Sequence, residues 1–495
     1  MARAMHLRPL AMKPHVLRSR VSPVVLALVL SSGFAFAAGC SGDDAIDGGD
    51  GDAAPGVDGS PGVDSTVGDD ATTPPRDGAA DAFADAGKDA STGDASDSST
   101  SDASDASDAA DAADAADAAA DADAGNGWYD IFDPAIVPTF ELTLDAAALA
   151  ILSDPSPLEA DRKKWAHGTF KCGATVIMDV GVRRKGTSTF RALPQKAAFK
   201  IRFDKYVPGQ RFLGLTDLTL NNSMSDPTFI AERLAYHTFR SAGLPAQKAN
   251  SAQVTINGDP WGLYVNVETP NLDFIKRVFP ANWKTIYEVN YGSDWLPGEE
   301  LGFDENVGDG TKADVTALFQ AVQAANDATL LADVAGHLDT TEWLKFSATE
   351  AATGHYDGYA FGIWGSHNYF MAGNVSGAFS LVPWSTDLTF SDRETVVDAN
   401  DPKAVGGGPT LLNRCKLSPG CWATYKDQVK TVLTTYEGLD LVTLAKSWHA
   451  QVDPMVIADP KKETPLPHYT SETALLYQWI AARPGVVRTQ LGIVP

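Results

Sequence analysis

Residues 226–243 read DPTFIAERLAYHTFRSAG. Their reading decides the fold, because they form a lone helical pattern inside a long run of strand patterns. Asp226 suits a helix cap, Pro227 a first turn, and Gly243 stands where a helix should stop. Glu232, Ala235 and Phe239 recur at spacings of three and seven, which places an acid on the apolar face. An inward-facing carboxylate requires a cationic partner. Arg233, Arg240 and a lysine from a neighbouring strand are the candidates.

Working outward, the flanking segments alternate as strands do. TVIMDVGVRRKG (175–186) places Val176, Met178, Val180 and Val182 on one face, and AFKIRF (198–203) does the same with Phe199, Ile201 and Phe203. QVTINGDPWGLYVNVE (253–268) predicts a hairpin turning at Asn257-Gly258. From about residue 311 the period lengthens. Val315, Leu318, Phe319 and Val322 form a helical stripe, and Leu330 to Ala352 continue in that style. Short extended runs at Tyr369–Met371 and Phe379–Val382 precede a helical tail. The expected fold is α+β in two lobes: a β-rich lobe over 127–310 with one inserted helix, then a helical lobe over 311–495.

The rest of the chain is a different material. Residues 1–40 have a basic leader, an apolar VVLALVL core and the ending Ala37-Ala38-Gly39-Cys40, which predicts a lipoprotein-type signal peptide lipidated at Cys40. Residues 41–126 carry 23 acidic and 2 basic side chains in near-triplet Asp/Ala repeats, a composition expected to be a disordered, self-repelling tether. Nothing in the remainder is basic enough to suggest nucleic acid. Zinc spacings such as CxxC or HExxH do not occur. Cys415 and Cys421 can close a short loop in an oxidising compartment, leaving Cys172 as a core residue. The expected location is exported and membrane-anchored, at the outer membrane or cell surface.

The residues able to carry chemistry lie on both sides of residue 311. Transfer of a phosphoryl group to a hydroxyl needs a lysine on the phosphates held by a helix acid, an aspartate facing the acceptor hydroxyl, and an asparagine and an aspartate for Mg²⁺. Lys196 or Lys200 with Glu232 can supply the first pair, and Asp357, Asn368 and Asp387 follow in order. Each also has a plainer reading. The lysines can be solvated strand residues, Asp357 a turn residue before Gly358, Asn368 a cap, and Asp387 a turn residue. His355 and His367 read as packed structural histidines. Asp304, Glu305, Asn306 and Asp309 lack the spacing of a calcium loop.

Four stretches taken together, VGVRRKGTSTFRALPQKAAFKIRFD (180–204), LTLNNSMSDPTFIAERLAYHTFRSAGLPA (218–246), VTINGDPWGLYVNVE (254–268) and HNYFM with SLVPWSTDLTF (367–371, 380–390), resemble the CotH kinase family over roughly residues 137 to 490. The resemblance implies an atypical protein-kinase-like fold that phosphorylates Ser or Thr of exported proteins with ATP and Mg²⁺ or Mn²⁺. It implies that Lys185, Gly186, Thr187 and Ser188 form the phosphate-side element, with Lys196 and Lys200 beside it. Asp357 would be the loop acid, and Asn368 and Asp387 the metal ligands. No Gly-x-Gly-x-x-Gly is present. The family's Trp-Asp-x-Asp is here Trp384-Ser385-Thr386-Asp387, so metal binding would fall to Asp387. The competing reading is a catalytically inactive kinase-like surface scaffold; a glycan hydrolase using Asp357 and Asp387 has less support.

Overall fold

The computed structural model describes residues 131–156, 158–279, 281–402 and 409–494. The expected signal peptide, Cys40 and the acidic tether lie outside them. Seven strands form a closed barrel: β1 (Thr139–Leu144), β2 (Ala166–Cys172), β3 (Thr175–Lys185), β4 (Ala198–Arg202), β5 (Asp217–Asn221), β6 (Ala249–Ile256) and β7 (Asp259–Val267). Their spatial order is β1-β2-β3-β4-β5-β7-β6, and β1 closes the ring by pairing parallel to β6. Closure leaves no open edge among these strands. Alternate residues fill the interior, with Phe140, Phe170, Val182, Phe199, Ile201, Leu218 and Tyr264 in one buried cluster. The β6–β7 hairpin turns at Asn257-Gly258, both with positive φ, as the sequence predicts.

Strand β3 departs from its expected alternation. Val180 and Val182 are buried, but Val176 and Met178 are 55 % and 66 % exposed and Ile177 points inward instead. The cause lies at Asp179, whose φ of 59° breaks the pleat, opposite a register irregularity between Gly168 and Phe170. One extra residue is enough to exchange the faces on the far side of the break.

A second sheet has the order β11-β10-β8-β9, formed by β8 (Trp283–Val289), β9 (Phe303–Val307), β10 (Tyr369–Asn374) and β11 (Phe379–Pro383). It therefore pairs strands from before the expected boundary at 310 with strands from after it. β9 also takes in Asp304, Glu305 and Asn306 of the acidic segment that lacks calcium-loop spacing.

The helices used below are α1 (Ala146–Leu152), α2 (Ala231–Ser241), α3 (Leu272–Val278), α4 (Ala313–Ala324), α5 (Thr340–Thr353), α6 (Thr410–Leu417), α7 (Pro419–Gly438), α8 (Leu441–Ala458) and α9 (Leu466–Leu491). The stripe Val315, Leu318, Phe319 and Val322 is fully buried on α4. α2 packs Leu234, Ala235 and Phe239 into the larger core, against Phe346 of α5. Burying a Leu or Phe side chain there contributes about 1.5–3 kcal/mol each.

α2 begins at Ala231, several residues later than expected. Phe229 has a φ of 61°, so residues 226–230 form a turn ahead of the helix. Asp226 still braces the start. Its Oδ1 accepts from the Thr228 amide at 2.9 Å, and its Oδ2 accepts from the Ala231 amide at 2.8 Å. Cys415 and Cys421 are disulfide-bonded across the α6–α7 junction. Cys172 is a buried free thiol, pushed up to about 12 by burial, which leaves it unreactive. Among the described residues no helix is long and apolar enough to cross a membrane.

Candidate active site

The inward acid of α2 finds its cation through an intermediary. Glu232 sits in the first turn of α2, 1 % exposed, and its Oε1 accepts from Asn221 Nδ2 at 2.8 Å. Asn221 closes β5, and its Oδ1 accepts from Lys185 Nζ at 2.8 Å. Lys185 is the last residue of β3, and its ammonium lies 4.9 Å from the centre of the Trp384 ring. A chain Lys185–Asn221–Glu232 thus runs from the barrel to the helix. Burial raises the Glu232 carboxyl well above its ordinary range. The charge of Asp387 raises it further, and Lys185 and Asn221 offset part of the rise.

Among the described residues, Glu232 makes no ion pair with Lys196, Lys200, Arg233 or Arg240. Lys196 is committed elsewhere: its Nζ lies 2.6 Å from Asp459 Oδ2 at the end of α8, both groups buried. It also sits 4.9 Å and 5.2 Å from the rings of Phe229 and Tyr264. Lys200 is on β4, opposite Arg183 and Thr219 in the ladder. Arg233 points the other way, over the Trp448 ring at 4.1 Å. Gly186, with φ of 94°, turns the chain directly after Lys185, and Ser188 lies exposed in that turn.

The three polar residues of the second half come together. Asp357 is in the loop after α5 and is 3 % exposed. Asn368 Nδ2 donates to both its backbone oxygen and its Oδ2, each at 2.8 Å. His367 Nε2 lies 2.7 Å from Asp357 Oδ1, and His367 Nδ1 lies 2.7 Å from the carbonyl of Gly365. Asn368 adopts a φ of 55°, just before β10, and its carbonyl accepts from the Trp384 amide at 3.0 Å. The segments carrying Asp357, Asn368 and Trp384–Asp387 are therefore tied by hydrogen bonds.

Asp387 follows β11 by four residues and is partly exposed. Its carboxyl is pushed up to about 6, first by burial and then by the charge of Asp357; its own backbone amide and the Ser385 hydroxyl, 3.1 Å away, pull the other way. Asp387 thus feels Asp357, and Glu232 in turn feels Asp387. Ser385, with φ of 48°, supports Asp387 through its hydroxyl.

Sequence reasoning missed the linking role of Lys185 and Asn221. Parity held the signal: Lys185 and Asn221 lie two residues from Arg183 and Thr219, on the side of the ladder away from Val182 and Leu220. It missed Asp459 altogether, because that residue is 263 positions from Lys196.

The family described as CotH kinase protein matches residues 182–487, and the chain belongs to that family. It is similar to inner spore coat protein H of Bacillus subtilis (strain 168), 24 % identical over 318 residues, spanning 61 % of this chain and 84 % of that protein. It is also similar to the inner spore coat protein H-like protein of the same organism, 26 % identical over 290 residues, 58 % of this chain and 83 % of the relative. Among solved structures it is similar to the Helicobacter pylori proinflammatory kinase CtkA, with a TM-score of 0.26, 9 % identity, and coverage of 59 % of this chain and 94 % of that one.

A kinase-like family implies ATP and a divalent cation. Among the described residues no group of three or more His, Cys, Asp or Glu side chains could hold a metal by itself. Mg²⁺ ordinarily takes one or two carboxylates and completes its shell with substrate phosphates and water. The residues fit that pattern: the charge of Asp357 raises the cost of ionising Asp387, which a cation would relieve. Asn368 spends its amide protons on Asp357, so its Oδ1 is the atom left to face a metal.

Proposed function

We propose that the chain is a protein serine/threonine kinase that transfers the γ-phosphoryl group of ATP to hydroxyls of surface or secreted proteins. The observation that carries this reading is the Lys185–Asn221–Glu232 chain. It delivers a barrel lysine to a helix acid that feels the charge of Asp387, which in turn feels Asp357. Bound ATP and Mg²⁺ or Mn²⁺ would supply the phosphoryl group and neutralise its oxygens.

The chain's own residues do the rest. Lys185, held on two sides by Asn221 and the Trp384 ring, presents a cation to phosphate oxygens. Asp387 and Asn368 would hold the cation. Asp357, locked by Asn368 and His367, orients the acceptor hydroxyl and takes its proton as the new P–O bond forms and the bond from the γ-phosphorus to the bridging oxygen breaks, releasing ADP. Rate enhancement in such a site comes from positioning and charge stabilisation. Ser385 does not empty the site, since Asp387 is the acid coupled to Asp357. Export and a lipid anchor at Cys40 complete the proposal; a disulfide at Cys415–Cys421 supports an oxidising compartment.

The test is incubation of the purified chain with γ-labelled ATP, Mg²⁺ or Mn²⁺ and a generic Ser/Thr acceptor. Label is expected on protein and is expected to fall by about 100-fold or more in folded Lys185→Ala, Asp357→Ala and Asp387→Ala variants. Absence of both label and metal-dependent ATP binding in the wild type would replace this reading with an inactive scaffold.

A further inference from the structure

Asp357 is held by more than its own side-chain contacts. Helix α5 approaches the Asp357 loop with two residues seven positions apart, Trp343 and Glu350, which two helical turns place on one face. Trp343 Nε1 donates to the Tyr359 hydroxyl at 2.9 Å. Glu350 is fully buried. Its Oε1 accepts from the Tyr359 amide at 2.9 Å and its Oε2 from the Ala360 amide at 2.6 Å, so one carboxylate grips two consecutive backbone amides. His355 Nδ1 lies 3.3 Å from Oε1. Ser366 Oγ donates to the Tyr359 carbonyl at 2.9 Å on the far side. Gly358 leaves the space for this grip: a Cβ there would lie 2.2 Å from Glu350 Oε1 and 2.5 Å from His355 Nδ1.

We propose that Glu350 is a positioning residue for phosphoryl transfer: its carboxylate fixes the backbone of residues 358–360 and thereby the place of the Asp357 carboxylate. The inference rests on the phosphoryl-transfer reading above. Physically, two amides on two oxygens define the loop in two directions, whereas one would leave a hinge. The helix supplying the oxygens is itself anchored, since Arg483 of α9 donates to the Ala351 carbonyl.

The experiment uses the full chain, Glu350→Gln and Gly358→Ala. The first keeps the volume but leaves one of the two amides facing an NH₂. The second keeps Glu350 and pushes the loop off it, so it remains informative if the glutamine variant does not fold. Amide hydrogen exchange at Tyr359 and Ala360, kcat, and the KM for ATP are measured on each. Exchange at those two amides is expected to quicken about 10-fold or more while the barrel stays protected. The value of kcat is expected to fall about 100-fold with the KM for ATP held, because Lys185 and Asp387 are untouched. Faster exchange with unchanged kcat overturns the inference, as does unchanged exchange. A loss of protection spread over barrel and helices overturns it too, since the effect is then general. Wild-type chain that transfers no phosphate ends the kinase reading, and the inference with it, while the exchange arm shows separately whether Glu350 holds the loop.

Discussion

Glu232 illustrates what one residue can and cannot reveal in a sequence. Its inward direction follows from spacing alone, and the structure buries it. Its partner does not follow, because the lysine that reaches it lies 47 positions earlier and acts through Asn221. Burial raises its carboxyl, so the folded chain holds that proton more tightly than the unfolded chain. Between 4.5 and the raised folded value the folded state then carries more protons, and stability falls as pH rises. Asp387 acts in the same sense between 3.8 and about 6. Glu232→Gln is expected to match the wild type's stability trend near pH 4 and to fall less steeply above it. The difference should approach about 1.4 kcal/mol per pH unit within the window. Urea unfolding at pH 4, 5, 6 and 7 measures it. Parallel curves would show that Glu232 is already ionised when folded.

At the scale of elements, legibility depended on whether neighbours or distant contacts set the boundary. The α4 stripe and the Asn257-Gly258 hairpin are local patterns, and both stand where the sequence places them. The start of α2 and the faces of β3 are not. A positive φ at Phe229 delays the helix, and one at Asp179 exchanges the strand's faces; Phe gives no sign of such a backbone, and Asp only a weak one. Asp226 keeps its bracing role despite the delay, accepting from two backbone amides and from the Thr228 hydroxyl. Asp226→Ala is expected to destabilise the chain by about 1–3 kcal/mol by stranding buried donors. Asp226→Asn should cost less, because one acceptor oxygen remains. Thermal unfolding of the two variants checks the order, and equal losses would assign the effect to charge instead.

At the scale of the whole molecule, the buried pair Lys196–Asp459 ties together segments 263 positions apart. Asp459 also accepts from the Leu263 amide at 3.0 Å, so it joins β7, the segment before β4 and the end of α8. Burial depresses the Lys196 ammonium and Asp459 partly restores it. Removing one member leaves the other charge without its counter-ion. Lys196→Met and Asp459→Leu are each expected to cost about 3–5 kcal/mol, with the double variant recovering much of the loss. A double-mutant cycle by chemical denaturation reads the coupling; additive losses would show that the two do not act as a pair. Those distances in sequence explain why the lysine looked like a ligand for phosphate when read in isolation.

The second sheet carries a consequence for descent. Its strands come from 283–307 and from 369–383, stitched across the place where composition turns from strand-like to helical. A genetic crossover at that place would hand each offspring half a sheet, with β8 and β10 each stripped of a partner. The β8–β10 pairing thus makes each half depend on the other for a complete sheet.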